Sequence, residues 1–281
     1  MVSTLSVSAP PLDCGAADSQ GSTVIDLRDP PSPRVSLVIP ALNEAENLSA
    51  VFAGLPRSLH EVILVDGYSA DGTAEVASRL RPDIRIVQQS RRGKGNALAC
   101  GFAAARGDII VMLDADGSMR GSEIPLFVST LQSGADFAKG SRFVEGGGTA
   151  DMTVLRRFGN RILCGLANLL YRTSYRDLCY GYMAFWTKHL DTLRVDCDGF
   201  EVETQMSIRA STAGLRVVEV PSYEDPRIYG ASNLHVVRDG LRVLRTILTE
   251  RFKRRGGQWA QGVPEPSGAR LDLAPDPRVI A

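Results

Sequence analysis

The chain has 281 residues, 44% of them hydrophobic, and its 32 lysines and arginines balance 32 aspartates and glutamates. That length suits one large α/β domain or two small ones, the apolar fraction supports a substantial core, and a net charge of zero removes any bulk-charge argument for nucleic acid. The five cysteines (Cys14, Cys100, Cys164, Cys179, Cys197) have neither C-x-x-C spacing nor a disulfide framework, which is expected of a reducing compartment.

Residues 1–33 are rich in Ser, Pro, Gly and Ala and read as a mobile arm, and 254–281 reads as an irregular tail. Between them, 34–253 is expected to form one domain in which strands and helices alternate. A β-rich run at 35–39 ends at Pro40. Residues 44–55 follow as a helix, with Leu48, Val51, Phe52 and Leu55 on one stripe. A second strand over 62–65 ends in Asp66. A helix over 73–80 has Asp71 or Thr73 available as its cap. Residues 84–87 are a third strand, 95–106 an Ala-rich helix, and 109–113 a fully apolar, buried strand. A short strand over 137–140, a helix over 155–171, a late strand over 217–220 and a closing helix over 236–252 complete the order. The alternation predicts a mostly parallel, twisted sheet with helices on its faces.

Three strand ends carry polar residues: Asn43-Glu44, Asp66 and Asp114-Ala115-Asp116. Parallel strands bring these ends to one edge, where open α/β sheets bind ligands. Two carboxylates spaced as in Asp114-x-Asp116 can meet a hard divalent cation, which would neutralise a diphosphate. Arg91-Arg92-Gly93-Lys94-Gly95-Asn96 precedes a helix, and glycines at a helix N-terminus allow backbone to approach an anion. Neither a Gly-x-Gly-x-x-Gly after the first strand nor a Gly-Lys-Ser/Thr loop is present, which disfavours dinucleotides and P-loop phosphoryl transfer.

The segments Pro40-Ala41-Leu42-Asn43-Glu44, Val65-Asp66, Asp71-Gly72-Thr73, Gly93-Lys94-Gly95-Asn96-Ala97, Asp114-Ala115-Asp116 and Gly140-Ser141-Arg142 occur in the order seen in glycosyltransferase family 2. Over about 35–250 the chain resembles most the polyprenyl- or dolichyl-phosphate mannosyltransferase branch. The resemblance implies a single-domain GT-A fold and an inverting transferase that uses a nucleotide-sugar donor, GDP- or UDP-linked, with Mg2+ or Mn2+. It implies that Pro40, Leu42 and Glu44 border the base and ribose, that Asp66 contacts the nucleobase with Lys94 nearby, and that Ala115 lies in the donor site. Asp114 would face the ribose or metal, and Asp116 would be the main metal ligand. Arg142 and Arg156 match the pair that holds the acceptor phosphate, and Arg227 and Ser232 would close over the diphosphate. If the acceptor were a hydroxyl of a soluble saccharide or natural product, a carboxylate should deprotonate it, and Asp177, Glu201 and Glu203 are the candidates. A helix first turn is the plainer reading of Glu201 and Glu203.

Three positions depart from the family pattern. Gly67 stands where a second carboxylate is usual, Ser118 where a metal-site glutamine is usual, and Asn233 where a lysine is usual, with His235 two residues on. These changes leave the nucleotide-sugar donor intact and bear on the acceptor. Two other classes compete. A nucleotidyltransferase would carry a Gly-rich loop after the first strand, and a non-catalytic sugar-nucleotide-binding relative is suggested by the same three departures. No leader peptide and no run long enough to cross a membrane is visible, the longest candidate being 162–171. A cytoplasmic location follows, with peripheral contact at the inner face of the membrane. For the helix over 155–171, with its stripe of Phe158, Ile162, Leu166 and Leu169, packing on the core is preferred to lying in an interface.

Overall fold

The computed structural model describes residues 32–231 and 234–255. In chain order its elements are β1 (Val35–Ala41), α1 (Leu48–Ala53), β2 (Glu61–Asp66), α2 (Thr73–Leu80), β3 (Arg85–Gln88), α3 (Lys94–Ala104), β4 (Ile109–Met112), α4 (Ile124–Gln132), β5 (Phe137–Ser141), β6 (Gly148–Thr149), α5 (Val154–Tyr171), β7 (Met183–Trp186), α6 (Leu190–Leu193), α7 (Val202–Thr212), β8 (Val217–Pro221), β9 (Tyr223–Glu224) and α8 (Val236–Arg255). The arm expected over 1–33 and the tail expected over 254–281 lie almost wholly outside the described residues.

Seven strands form one sheet in the order β3-β2-β1-β4-β7-β5-β8. β3, β2, β1 and β4 are mutually parallel, β5 and β8 are parallel, and β7 alone among the described strands of this sheet runs the other way. The mostly parallel sheet expected from the sequence is therefore present, with an antiparallel strand wedged into its centre. β6 and β9 pair as a small separate sheet.

The apolar strand runs are buried on both faces, as a helix-covered parallel sheet requires. Leu37, Ile39, Leu64 and Val111 pack on one side with Leu48, Phe127 and Leu131. Val38, Ile63, Val65, Ile110 and Met112 pack on the other with Leu98, Phe102 and Met206. α3 lies so close to the sheet that a Cβ at Gly101 would overlap the Val38 side chain. α5 and α8 pack together over a third cluster of Cys164, Ala167, Tyr171, Val243 and Ile247.

Two expectations need correction. The helix expected over 44–55 begins only at Leu48, because residues 44–47 turn and carry Glu44 to the sheet edge. On α5 the buried residues are Asn160, Cys164, Ala167 and Tyr171. Of the stripe assigned to the core, Leu166 packs against the third cluster, while Phe158, Ile162 and Leu169 are instead turned outward and exposed. No helix among the described residues is long and apolar enough to cross a membrane.

Candidate active site

The register aligns the strand ends. Ala41 lies opposite Asp66, Asp66 opposite Gln88, and Val38 opposite Met112, so Glu44 and Asp114 emerge at one edge. A cavity of about 720 Å3 opens there. Pro40, Leu42 and Glu44 line it from the end of β1, Asp114, Ala115 and Asp116 from the end of β4, and Lys94 from the start of α3. Glu203 of α7, Arg227 and Arg156 complete its charged wall.

Two ion-pair systems organise these charges. Lys94 Nζ sits 2.7 Å from Asp114 and 2.7 Å from Glu203, with the Phe200 ring 5.7 Å away. Burial favours the neutral lysine, but the two carboxylates overcome it and hold the ammonium more firmly charged than usual. Burial pushes the Asp114 carboxyl up to about 6; Lys94 pulls against this, while Asp116 and Glu203 add to it. In the second system Arg227 bridges Glu44 at 2.9 Å and Asp116 at 3.2 Å. Burial raises the Glu44 carboxyl above its ordinary value despite Arg227 and Asn47.

Asp116 Oδ1 accepts from the Ser118 backbone N–H at 3.0 Å and from Ser118 Oγ at 2.7 Å. The serine that replaces the expected glutamine thus orients this carboxylate. Gly67 has its own reason: a Cβ there would stand 3.0 Å from the Ala41 carbonyl oxygen and 3.2 Å from the Leu42 Cβ.

Several candidates do not reach the cavity. Arg142 is buried, with two guanidinium nitrogens on Asp177 at 2.7 and 2.9 Å, a third on Glu224 at 3.0 Å, and its plane over Tyr180. Its donors are consumed internally, so it is corrected from an acceptor-phosphate contact to a structural group. Asp177 is fully buried in the same pair and is corrected from a base candidate. Burial alone would raise its carboxyl, but the Arg142 guanidinium overrides this and holds it below the usual carboxylate range. Glu201 accepts from the Gly199 amide and is absent from the cavity lining, which leaves Glu203 as the base candidate on it. Asp66 is also off the lining; it accepts from the backbone of Tyr68 and Ser69, and its neighbour Gly67 lines the cavity instead.

Gly93 and Gly95 give another correction. A Cβ on either would strike the backbone of Asp198 or Cys197, and the Gly95 N–H donates to the Asp198 carbonyl. These glycines admit the protein's own chain, and Gly93 also lines the cavity. Arg156 does line the cavity, 3.2 Å from Asp151 and 3.9 Å from Glu224. Ser232 and Asn233 lie outside the described residues, while Leu234 and His235 line the cavity.

Sequence reasoning missed Glu224, Arg238 and Arg242, all on the cavity wall. Glu224 stands three residues before Arg227, in a two-residue strand with no periodicity to mark it. The i, i+4 spacing of Arg238 and Arg242, next to His235, was the available signal for a basic helix start.

A family description, Glycosyl transferase family 2, matches residues 36–194. Glycosyltransferase AglJ of Haloferax volcanii is 32% identical over 209 residues, spanning 73% of this chain and 68% of that protein. Polyprenol monophosphomannose synthase of Mycolicibacterium smegmatis is 30% identical over 217 residues, spanning 73% of this chain and 82% of that protein. Among solved structures, glucosyl-3-phosphoglycerate synthase from Mycobacterium tuberculosis, in complex with Mn2+, UDP and phosphoglyceric acid, aligns over 78% of each chain with a TM-score of 0.63 at 22% identity. At that identity the likeness concerns the fold, which is the GT-A arrangement.

Proposed function

We infer the reaction from one premise: the chain belongs to glycosyl transferase family 2 and is a glycosyltransferase. We propose that it is an inverting, metal-dependent enzyme that moves a hexose from a GDP- or UDP-linked donor to a polyprenyl phosphate. The observation that carries this reading is the convergence of Glu44, Asp114, Asp116, Lys94 and Arg227 on one cavity at the carboxyl edge of the sheet.

The base and ribose would lie along Pro40, Leu42 and Glu44, with the β2 end and Asp66 behind them. The diphosphate would lie over Asp114-Ala115-Asp116. Arg227, now shared between Glu44 and Asp116, is placed to turn to the diphosphate oxygens, where a guanidinium binds two oxygens at once. Lys94 keeps Asp114 and Glu203 in place and adds positive charge beside the leaving group.

The residues present fit Mg2+ or Mn2+. Asp116 faces the cavity, is oriented by Ser118, and already neighbours a cationic group in Arg227. Among the described residues no group of three or more His, Cys, Asp or Glu forms a cage. Asp116, with Asp114 behind it, would therefore share the cation with donor oxygens, a mode that suits Mg2+. When bound, the ion supplies charge neutralisation to the departing nucleoside diphosphate.

A phosphate acceptor is already a nucleophile and needs no general base. Arg156, with Arg238 and Arg242 from α8, would meet it. A polyprenyl phosphate would be reached at a membrane surface by peripheral contact from the cytoplasmic side. A second reading keeps the donor chemistry and transfers to a soluble hydroxyl. It is favoured by the withdrawal of Arg142 from the cavity and by the phosphoglyceric acid bound to the structural neighbour. Glu203 would then be the base.

The test is a donor panel. Protein, Mn2+ and UDP- or GDP-linked sugars are incubated with and without a short polyprenyl phosphate, and released nucleoside diphosphate is measured. Release that requires the lipid phosphate and disappears in Asp116→Ala supports the first reading. Turnover that ignores the lipid supports the second. Tight donor binding with no turnover under any condition would point to a non-catalytic relative, and absence of any donor binding would sink both.

A further inference from the structure

α5 is apolar on two opposite sides. Asn160, Cys164, Ala167 and Tyr171 face the core. On the far side of the helix Val154, Leu155, Phe158, Ile162 and Leu169 are exposed, Phe158 at 62% and Leu169 at 78%. At 3.6 residues per turn these five fall on one stripe about half a turn from the buried one. Exposed apolar residues gathered on one helix face mark an interaction surface more often than chance scatter.

Beside this stripe is a second cavity, of about 640 Å3, which shares no lining residue with the first. Arg157 and Arg161 of α5 border it together with Arg176, over a floor that includes Phe143, Cys164 and Tyr175. The other polar groups there are committed. Asn160 accepts from the Leu178 and Cys179 amides, Asn168 bonds Tyr175 and Thr173, and the Tyr175 hydroxyl donates to the Ser207 carbonyl. The three guanidinium groups have no carboxylate partner among the described residues, and Arg157 is steadied over the Phe143 ring. α5 itself contains no Asp or Glu.

We propose that this face docks on an anionic lipid bilayer, with the apolar stripe entering the interface and the Arg157–Arg161–Arg176 cavity taking a phospholipid phosphate. A bilayer surface offers phosphate and hydrocarbon side by side, as the face demands. A second copy of the chain fits poorly, because a two-fold contact through α5 would set arginines against arginines. The proposal deepens the peripheral-membrane reading above and rests on it for the nature of the partner. Its test uses neither donor nor acceptor, so its failure leaves the transfer reaction standing.

The full chain is floated with phosphatidylcholine vesicles and with phosphatidylcholine–phosphatidylglycerol vesicles, at low and high salt. Association is expected to be at least about tenfold stronger with the anionic vesicles and to weaken as salt screens the charges. Replacing Arg157, Arg161 and Arg176 together by Gln should lower anionic-vesicle association about hundredfold, at about fivefold for each arginine. Phe158→Ser with Ile162→Ser should weaken binding to both vesicle types at an unchanged melting temperature. The wild-type comparison of lipid and salt needs no variant, so a misfolded variant does not remove the test. Equal binding to both vesicle types overturns the proposal, as does no binding to either. So does loss of binding only when Val237 and Phe252 of α8 are changed, saturation of the cavity by inorganic phosphate without vesicle binding, or a dimer that Phe158→Ser dissociates.

Discussion

Arg142 and Arg156 show what two arginines of similar sequence promise can become. Arg142 is sequestered between Asp177 and Glu224, with side-chain exposures of 2%, 0% and 8% for the three groups. Removing one member strands buried charge, and Arg142→Ala should cost about 3–5 kcal/mol in denaturant unfolding. Arg142→Lys should rescue little, because a point charge cannot reproduce the two-pronged contact. Arg156→Ala should leave stability nearly unchanged and instead raise the KM for the acceptor. If Arg142→Ala proved as stable as wild type, the structural role would be wrong. The Asp177 carboxyl adds a pH signature. Its folded pKa is depressed, so its stabilisation is complete above the unfolded value of about 3.9 and is lost as pH falls through the lower folded value. Unfolding free energy should therefore carry no contribution from this pair to any slope between pH 5 and 8, and should fall in acid. Asp177→Asn should abolish that share of the acid slope; an unchanged slope would exclude the assignment.

At the scale of elements, close packing of α3 on the sheet sets a clear expectation. Gly101→Val would drive methyl groups into Val38 and Val65, and overpacking of this kind costs about 1–3 kcal/mol. Gly240, in α8, meets nothing within 4 Å of its added Cβ. Gly240→Ala should stabilise by about 0.5–1 kcal/mol through helix propensity alone. Thermal melts of the two variants should move in opposite directions; a neutral Gly101→Val would mean that α3 stands further off. The same elements explain what the sequence disclosed. β1, β2, β4 and α2 were legible because each couples a strong apolar or amphipathic period to a turn residue. β7 was not, because Met183–Trp186 enters antiparallel between strands whose order the β-α alternation does not announce. Beyond the first turn offered by Glu201 and Glu203, α7 was hidden because its buried residues include Glu203, Thr204, Gln205, Ser207 and Arg209, which erase the apolar stripe. Several of those groups find long-range partners, such as Lys94 for Glu203 and Glu250 and Asp196 for Arg209, which no local pattern contains. The stripe of α5 was visible as a pattern, but Phe158, Ile162 and Leu169 were assigned to the wrong side, since periodicity shows that a face is apolar and not what covers it.

Across the whole molecule, the site joins distant parts of the chain through Arg227. Its guanidinium ties the segment after β9 to Glu44 beyond β1 and to Asp116 beyond β4. The carboxylates and the diphosphate of a donor would compete for the same guanidinium, so donor binding should exchange one set of charge contacts for another within a fixed frame. The sheet edge and the carboxylates at Asp114 and Asp116 could be read from sequence, and the family resemblance brought Arg227 to the donor site, but its ion pairs with Glu44 and Asp116 could not be read there. A measurable consequence is linkage between ligand and stability. At ligand a hundredfold above its Kd, binding adds about 2.7 kcal/mol, or about 5–10 °C in melting temperature for a chain of this size. UDP or GDP with Mn2+ should produce such a shift, and comparison of the two nucleotides would identify the base. In Arg227→Met the diphosphate loses a charge-assisted partner, and tenfold weaker binding, about 1.4 kcal/mol, should shrink the shift by about 3–5 °C. The unliganded variant should also melt below wild type, because Glu44 and Asp116 would face each other across the cavity without the guanidinium. An Arg227→Met protein with the full nucleotide shift would exclude Arg227 from the diphosphate site and leave it a tie between strand ends.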